Sequence, residues 1–127
     1  MPLDERLARV VEAARSRKAV GIRLLDVSGI ASFADVFAFM SGTSDRQNRA
    51  IAEAIFEAQK EHGERPISQE GDRAGNWILM DYGDLIVHVM DESTRQRYKL
   101  EELWKDGREL ELPPEPQRGN EATGKPI

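Results

Sequence analysis

The sequence predicts an α/β fold, a single domain whose mixed sheet of about five strands is flanked by helices. Two segments carry apolar residues at helical spacing, several short apolar runs end at glycine or serine, and two such runs face each other across Gly83. A tight hairpin is antiparallel, whereas other strands of such a fold are joined through helices, so the predicted sheet is mixed. The 127 residues suffice for one domain with a single core.

The N-terminal half of the chain is predicted to form two helices and two strands. Residues 3 to 17 have one apolar helical face, with acidic residues near the start and basic residues near the end. Strands follow at residues 22–27 and 35–40, and the second is apolar on both faces, which indicates a central position. Ser44 and Gln47 fit a capping box at the start of a second helix, which ends at Gly63.

The C-terminal half is predicted to add three strands and two helical turns. A third strand at 66–70 precedes a loop at 71–75 and the hairpin at 77–90. Two short helical turns then span 92–98 and 100–104. Four apolar side chains of these turns are expected to pack inward: Tyr98, Leu100, Leu103 and Trp104.

The chain divides into a domain at 1–110 and a tail at 111–127. Pro113, Pro114 and Pro116 lie among polar residues of the tail, which offers almost nothing apolar to bury. A segment of this composition does not gain enough from burial to offset the entropy of ordering. We therefore expect a disordered tail.

The hairpin register follows from its turn. A two-residue loop at Gly83-Asp84 uses the positive φ that glycine tolerates, whereas a loop one residue earlier sets Asp81 against Asp84, and like charges repel across a ladder. The preferred loop pairs Tyr82 with Leu85 and places one alternating set on each face. The first face carries Ile78, Met80, Tyr82, Leu85, Val87 and Val89, and the second carries Trp77, Leu79, Asp81, Ile86, His88 and Met90.

Both faces of the hairpin are too apolar to be simply solvated. One face must cover the core of the domain itself. The second must be covered by helices of the same chain or left as an adhesive surface for a partner.

The composition excludes several classes of function. A net charge of −5 argues against non-specific nucleic-acid binding, which needs a surplus of Lys and Arg, but it is compatible with a basic protein partner. The absence of cysteine excludes disulfides and thiolate metal sites. No apolar stretch is long enough to span a bilayer and no signal-peptide pattern begins the chain, so we expect no membrane association and a cytoplasmic location.

No residues of the chain form a recognisable catalytic set. The turn at residues 41–44 faintly resembles the glycine-serine turn of nucleotidyltransferases, but that chemistry needs an Asp-x-Asp pair to hold magnesium on the following strand, and none occurs. The two histidines, His62 and His88, are far apart, and His88 in an apolar strand is expected to be hydrogen-bonded and half-buried. We therefore predict no catalytic residue, no cofactor and no metal.

The start of the second helix is a secondary candidate site. Arg46 and Arg49 lie in its first turns, where the helix dipole disfavours cations. One interpretation is that Asp45 and nearby carboxylates neutralise them. The other is a secondary anion or partner contact made by Ser44, Asp45 and Arg46 at the helix N-terminus.

Three segments occur in order at compatible spacing: Ser41-Gly42-Thr43-Ser44-Asp45-Arg46, the pair Glu70-Gly71, and residues 77–89. Together they resemble the ribosomal silencing factor family, also called Iojap-like proteins. The likeness extends from about Leu3 to Trp104 and includes Arg95, Tyr98, Leu100, Glu101 and Leu103. The tail after Leu112 lies outside it.

The resemblance implies a translational repressor without catalytic activity. Members of the family have a nucleotidyltransferase-like fold without the catalytic carboxylates. They bind the large ribosomal subunit through its fourteenth protein and block joining of the small subunit when nutrients are short. The contact region of the family corresponds to Trp77, Asp81, Tyr82, Gly83 and Asp84 here, with aromatic contact area from Trp77 and Tyr82 and with carboxylates that meet cations of the partner.

Three alternatives remain open from the sequence. The same partner could be bound in order to assist assembly of the large subunit. Alternatively, the fold could retain nucleotide binding with residual transferase activity. A homodimer through the second face of the hairpin is also compatible with the residues present.

Overall fold

A computed structural model describes residues 3–71 and 74–114, apart from the side chain of Leu103. The described residues contain four helices and six strands. In chain order these are α1 Leu3–Ser16, β1 Val20–Asp26, β2 Val36–Ser41, α2 Asp45–Lys60, β3 Ser68–Gly71, β4 Trp77–Asp81, β5 Leu85–Met90, α3 Glu92–Tyr98, α4 Leu100–Leu103 and β6 Arg108–Leu110. The helices and the first five strands lie within a few residues of the predicted positions.

The strands form one mixed six-stranded sheet in the order β3-β4-β5-β2-β1-β6. The central pair β2 and β5 is parallel, and the other neighbours are antiparallel. Both central strands are buried along their whole length, as predicted for the apolar run at 35–40. The α/β class and the mixed sheet are thus confirmed, and the predicted count of about five strands is one short.

The additional strand is β6, which pairs antiparallel with β1 through Leu24 and Leu110. It ends where the predicted domain ends. Residues 115–127, which make up most of the predicted disordered tail, lie outside the described residues.

Helices α1 and α2 cover the first face of the sheet. Their buried stripes, which include Val10, Val11, Ile51 and Ile55, pack on one alternating set of strand residues. That set includes all the hairpin residues predicted for the first face: Ile78, Met80, Tyr82, Leu85, Val87 and Val89. None of the helices in the described stretches combines the length and the apolar character that a membrane span requires.

The second face is covered in part by the chain itself. A smaller core cluster of Phe37, Phe39, Ile86 and neighbours lies under Leu100 and Trp104. The prediction that Leu100 and Trp104 pack inward is confirmed. It is wrong for Tyr98, which is 49% exposed, because α3 buries none of its residues and the Tyr98 ring instead lies against that of Trp77.

Candidate functional site

The hairpin has the predicted register. Ile78 pairs with Val89 and Met80 with Val87, while Tyr82 N donates to Leu85 O at 2.8 Å. Gly83 has a φ of +91°, in the region that favours glycine. Its amide donates to Asp81 Oδ1 at 2.8 Å, so the Asp81 side chain closes the turn from within.

Asp84 is turned toward α1. Its Oδ2 accepts a hydrogen bond of 2.6 Å from Arg6 Nη1, and this bond lowers the pKa of the Asp84 carboxyl. The backbone oxygen of Asp84 accepts from Asp35 N at 2.8 Å and from Val36 N at 3.0 Å, which ties the hairpin turn to the start of β2. The charge of Asp84 is therefore largely matched within the protein.

Tyr82 packs against the core of the first face. Only 8% of its surface is exposed. Burial raises the pKa of its hydroxyl to about 12, and the hydroxyl oxygen has no hydrogen-bond partner among the described residues. Of the five predicted contact residues, Tyr82 is thus buried, whereas Trp77, Asp81, Gly83 and Asp84 are partly exposed.

Trp77 lies on the opposite face from Tyr82, as the alternation predicts, and is held by two rings. Its Nε1 donates to His88 Nδ1 at 3.2 Å, and its ring lies 5.0 Å from that of Tyr98, measured between centroids. His88 is buried and stacks on Phe39 at 4.9 Å. Burial lowers the pKa of His88 to about 4, so the ring is neutral at pH 7 and accepts the indole hydrogen.

The outer part of the second face is only partly covered. Along β4, Trp77, Leu79 and Asp81 are half-buried and alternate with buried residues. In the register of β3 with β4, Ser68 lies beside Asp81 and Glu70 beside Leu79, so their side chains share this face. We call these five residues the β3–β4 stripe: Ser68, Glu70, Trp77, Leu79 and Asp81.

The start of α2 binds its own side chains. Ser44 Oγ accepts from Gln47 N at 3.0 Å, which confirms the predicted N-cap. Gly42 N donates to Asn48 Oδ1 at 2.9 Å and Thr43 N donates to Gln47 Oε1 at 2.7 Å. The Gln47 side chain thus binds the amide of Thr43, whereas in a capping box it would bind the amide of Ser44. Three backbone N–H groups that an anion would use are already hydrogen-bonded.

The charges at this helix start pair in part with each other. Asp45 lies 3.0 Å from Arg49 in an exposed ion pair, which agrees with the interpretation that carboxylates neutralise the cations of the first turns. Arg46 is exposed. Ser44, Asp45 and Arg46 are therefore adjacent in space, but the Ser44 hydroxyl serves the helix cap.

Arg95 contributes a structural contact that the sequence did not reveal. Its guanidinium donates to Glu101 at 2.7 and 3.0 Å, to Ser41 Oγ at 2.9 Å and to Gly21 O at 2.6 Å. The pKa of Glu101 is lowered, chiefly by this hydrogen bond. Within residues 3–71 and 74–114, no three His, Cys, Asp or Glu residues are grouped closely enough to hold a metal ion.

The chain resembles known proteins over most of its length. Residues 2–126 match the family model described as "Ribosomal silencing factor during starvation". The ribosomal silencing factor RsfS of Halalkalibacterium halodurans is 36% identical over 112 residues, which are 88% of this chain and 96% of that protein. RsfS of Bacillus subtilis is 39% identical over 94 residues, which are 74% of this chain and 80% of that protein.

A solved structure and a more distant relative extend the comparison. The crystal structure of protein CV0518 from Chromobacterium violaceum superimposes with a TM-score of 0.80 at 32% identity, over 91% of this chain and 95% of that one. A mouse protein named "Mitochondrial assembly of ribosomal large subunit protein 1" is 30% identical over 98 residues, which are 75% of this chain and 43% of that protein. The chain therefore belongs to the ribosomal silencing factor family.

Proposed function

We propose that this protein binds the large ribosomal subunit through its fourteenth protein and prevents the small subunit from joining when nutrients are limiting. The observation that carries the proposal is the family match over residues 2–126. Silencing of this kind is a regulatory function in the cytoplasm and requires a binding surface, with no reaction on a substrate.

The β3–β4 stripe is the surface we assign to this contact. Trp77 and Leu79 supply partly exposed apolar area in its middle, whereas Glu70 and Asp81 place carboxylates beside them. Aromatic anchors within a polar rim are the usual arrangement of a protein interface. Asp84 and Tyr82 contribute to this surface only indirectly, because Asp84 is bound to Arg6 and Tyr82 is packed in the core.

Charge favours a cationic partner. The chain carries 18 Lys and Arg residues against 23 Asp and Glu residues. An acidic protein is steered toward positively charged surfaces, and ribosomal proteins that face RNA are rich in cations. The carboxylates of Glu70 and Asp81 would meet Lys or Arg side chains at the rim, where such pairs set the rate and orientation of binding more than its strength.

The proposed mechanism is steric. The subunits approach each other over a defined face of the large subunit, so a folded domain bound at that face excludes the small subunit by its volume alone. This mechanism requires no reacting group of the protein, and the histidine of the hairpin, His88, is buried and accepts a hydrogen bond from Trp77 Nε1 at 3.2 Å. Regulation then has to control only how many large subunits carry the bound protein.

The proposal is tested by cosedimentation of the full chain with purified large subunits, followed by addition of small subunits. We expect Trp77→Ala to weaken binding by roughly 30-fold or more, as truncation of an interface aromatic does. We expect Glu70→Lys to weaken it roughly three- to tenfold, since this carboxylate lies at the rim. Subunit joining should recover in the same order.

Matched controls separate the contact from general damage. Phe56→Ala truncates a partly buried aromatic of α2, and Glu53→Lys reverses an exposed charge of the same helix, both on the side of the sheet opposite the stripe. Both controls should bind normally. Equal binding by Trp77→Ala and Phe56→Ala would show that the stripe is not the contact, and failure of the unaltered chain to bind large subunits would overturn the function itself.

Assistance in large-subunit assembly is the second candidate, and the name of the mouse relative favours it. The same docking surface would serve both functions. The two differ in their target, because silencing acts on mature subunits and assembly on precursors. A strain lacking this protein should accumulate precursor particles only if assembly is the function, whereas inhibited joining of mature purified subunits supports silencing.

A further inference from the structure

A continuous row of six rings crosses the second face of the sheet. Neighbouring ring centroids lie between 5.0 and 6.1 Å apart. In order, the row contains Tyr98, Trp77, His88, Phe37, Trp104 and Phe33. The middle of the row is buried, whereas Tyr98 is 49% exposed at one end and Phe33 is 57% exposed at the other.

The exposed Phe33 end belongs to an ordered loop between β1 and β2. Val27 N donates to Asp35 O at 2.8 Å across the base of the loop, and Ala31 N donates to Val27 O at 2.7 Å. Ala34 is buried beneath it. Ile30, in the same loop, is 47% exposed. The loop is thus closed by its own hydrogen bonds and anchored on the core, yet it holds two large apolar side chains in solvent. Large exposed apolar side chains on an ordered loop are typical of an interaction site.

We propose that Ile30 and Phe33 form a second contact for the same cationic large-subunit protein that binds the β3–β4 stripe. This inference rests on the proposed function. Because the row of rings runs along the second face of the sheet, its Tyr98 end and its Phe33 end lie on the same side of the protein. A single rigid partner can therefore contact both. The five residues of the stripe are few compared with the roughly 20 residues that each side of a stable interface usually contributes, and the loop adds to them on the same face.

The charges around Phe33 indicate the chemistry of the partner at this end. Asp35 is exposed two residues beyond Phe33, and its amide donates to the backbone oxygen of Asp84. Asp26, at the end of β1, is already paired with Arg108 at 3.1 Å, so Asp35 is the carboxylate that we assign to the partner at this end. The complementary surface is an apolar cleft bordered by Lys or Arg side chains.

The test measures binding of full-length variants to purified large subunits. Phe33→Ser and Ile30→Ser should each weaken binding, by roughly tenfold for Phe33→Ser, because truncation of a well-packed anchor has effects of this size. Phe33→Leu keeps an apolar side chain and should bind within about threefold of the unaltered chain. The matched control is Val20→Ser, since Val20 is 43% exposed at the opposite end of β1 and should not matter.

The outcomes distinguish this inference from the function on which it rests. If the unaltered chain fails to bind, the proposed function falls and this contact with it. If Trp77→Ala weakens binding but Phe33→Ser does not, only the second contact is overturned. Equal loss in Val20→Ser also overturns it, as does a Phe33→Ser variant that alters self-association in sedimentation equilibrium but leaves ribosome binding unchanged.

Discussion

Arg6 Nη1 donates a 2.6 Å hydrogen bond to Asp84 Oδ2 and so joins the first helix to the hairpin turn. The Arg6 side chain is buried, whereas that of Asp84 is partly exposed. Glu64 Oε1 lies 2.9 Å from Arg6 Nε, but Nε makes no hydrogen bond there, so this second contact is electrostatic only. Asp84 is therefore the directed partner that compensates the burial of a cation.

Removing that partner should destabilise the fold. We expect Asp84→Ala to lower the free energy of unfolding by about 1–3 kcal/mol, below the range for fully buried pairs because Asp84 is partly exposed to solvent. Urea denaturation measures the loss. Asp45→Ala, which breaks the exposed pair with Arg49, is the control and should change stability by about 0.5 kcal/mol or less. Equal effects in the two variants would contradict the assigned role of Asp84.

The hairpin could be predicted from the sequence because its constraints are local. Gly83 fixes the turn, and alternation then fixes which face each residue occupies, including the separation of Trp77 from Tyr82. The strand β6 could not be predicted, because Arg108, Glu109 and Leu110 show no apolar alternation. Their pairing with β1 depends on distant contacts, such as that between Arg23 and Glu109 at 2.6 Å.

The candidate site was predicted less completely than the fold. The family resemblance led us to expect Trp77 and Asp81 at the contact, and both lie in the β3–β4 stripe, but nothing in the sequence indicated that Asp84 pairs with Arg6, which lies 78 residues away. Helical spacing also predicted an inward Tyr98. The two-turn helix α3 buries none of its residues, and the Tyr98 ring packs on that of Trp77 instead.

The turn glycine provides a second test of stability. Gly83→Ala forces a side chain into φ +91° and places its Cβ 3.3 Å from Ile67 Cδ1. We expect a loss of about 1–2 kcal/mol in the free energy of unfolding, since this conformation is strained for any residue with a Cβ. Gly29→Ala is the control, because an added Cβ meets nothing within 4 Å there. A neutral Gly83→Ala would mean that the turn adopts another conformation.

Nucleotides are not expected to stabilise the protein. The amides of Gly42, Thr43 and Gln47 already donate to the chain's own side chains, so a phosphate would have to displace these bonds. The melting temperature should therefore be the same with and without millimolar magnesium nucleoside triphosphate. A concentration-dependent rise would indicate binding to the folded state and would favour the nucleotide-binding alternative.

Arg95 should hold the C-terminal segment on the sheet. It joins Glu101 of α4 to Ser41 of β2 and to the backbone of Gly21. We expect Arg95→Ala to lower the free energy of unfolding by about 1–3 kcal/mol, since it removes the donor to Ser41 and to the backbone oxygen of Gly21, whereas Glu101 retains Arg23 at 2.7 Å. Hydrogen exchange of the β6 amides should accelerate more than that of β5. Arg95→Lys should not restore stability, because an ammonium cannot reproduce the planar fork, and full restoration would contradict this account.

The buried ring of His88 should make the stability of the fold depend on pH in a range where carboxylates contribute little. In the folded state burial lowers the pKa of His88 from 6.5 to about 4. Between these values the unfolded chain binds a proton that the folded chain does not, so stability falls as pH falls from 6.5 toward 4, by roughly 3 kcal/mol in all. The hydrogen-bonded carboxyls have lowered pKa values, so the stabilisation that they provide is lost mainly at the acidic end of this range and below it.

Urea denaturation at pH values between 4.5 and 6.5 isolates the histidine. His88→Gln retains an oxygen that can accept from Trp77 Nε1 and removes the titrating ring, so the slope of stability against pH should become nearly flat. His62→Gln alters an exposed ring at the end of α2 and should leave the slope unchanged. If His88→Gln keeps the slope of the unaltered chain, the buried imidazole is not its source.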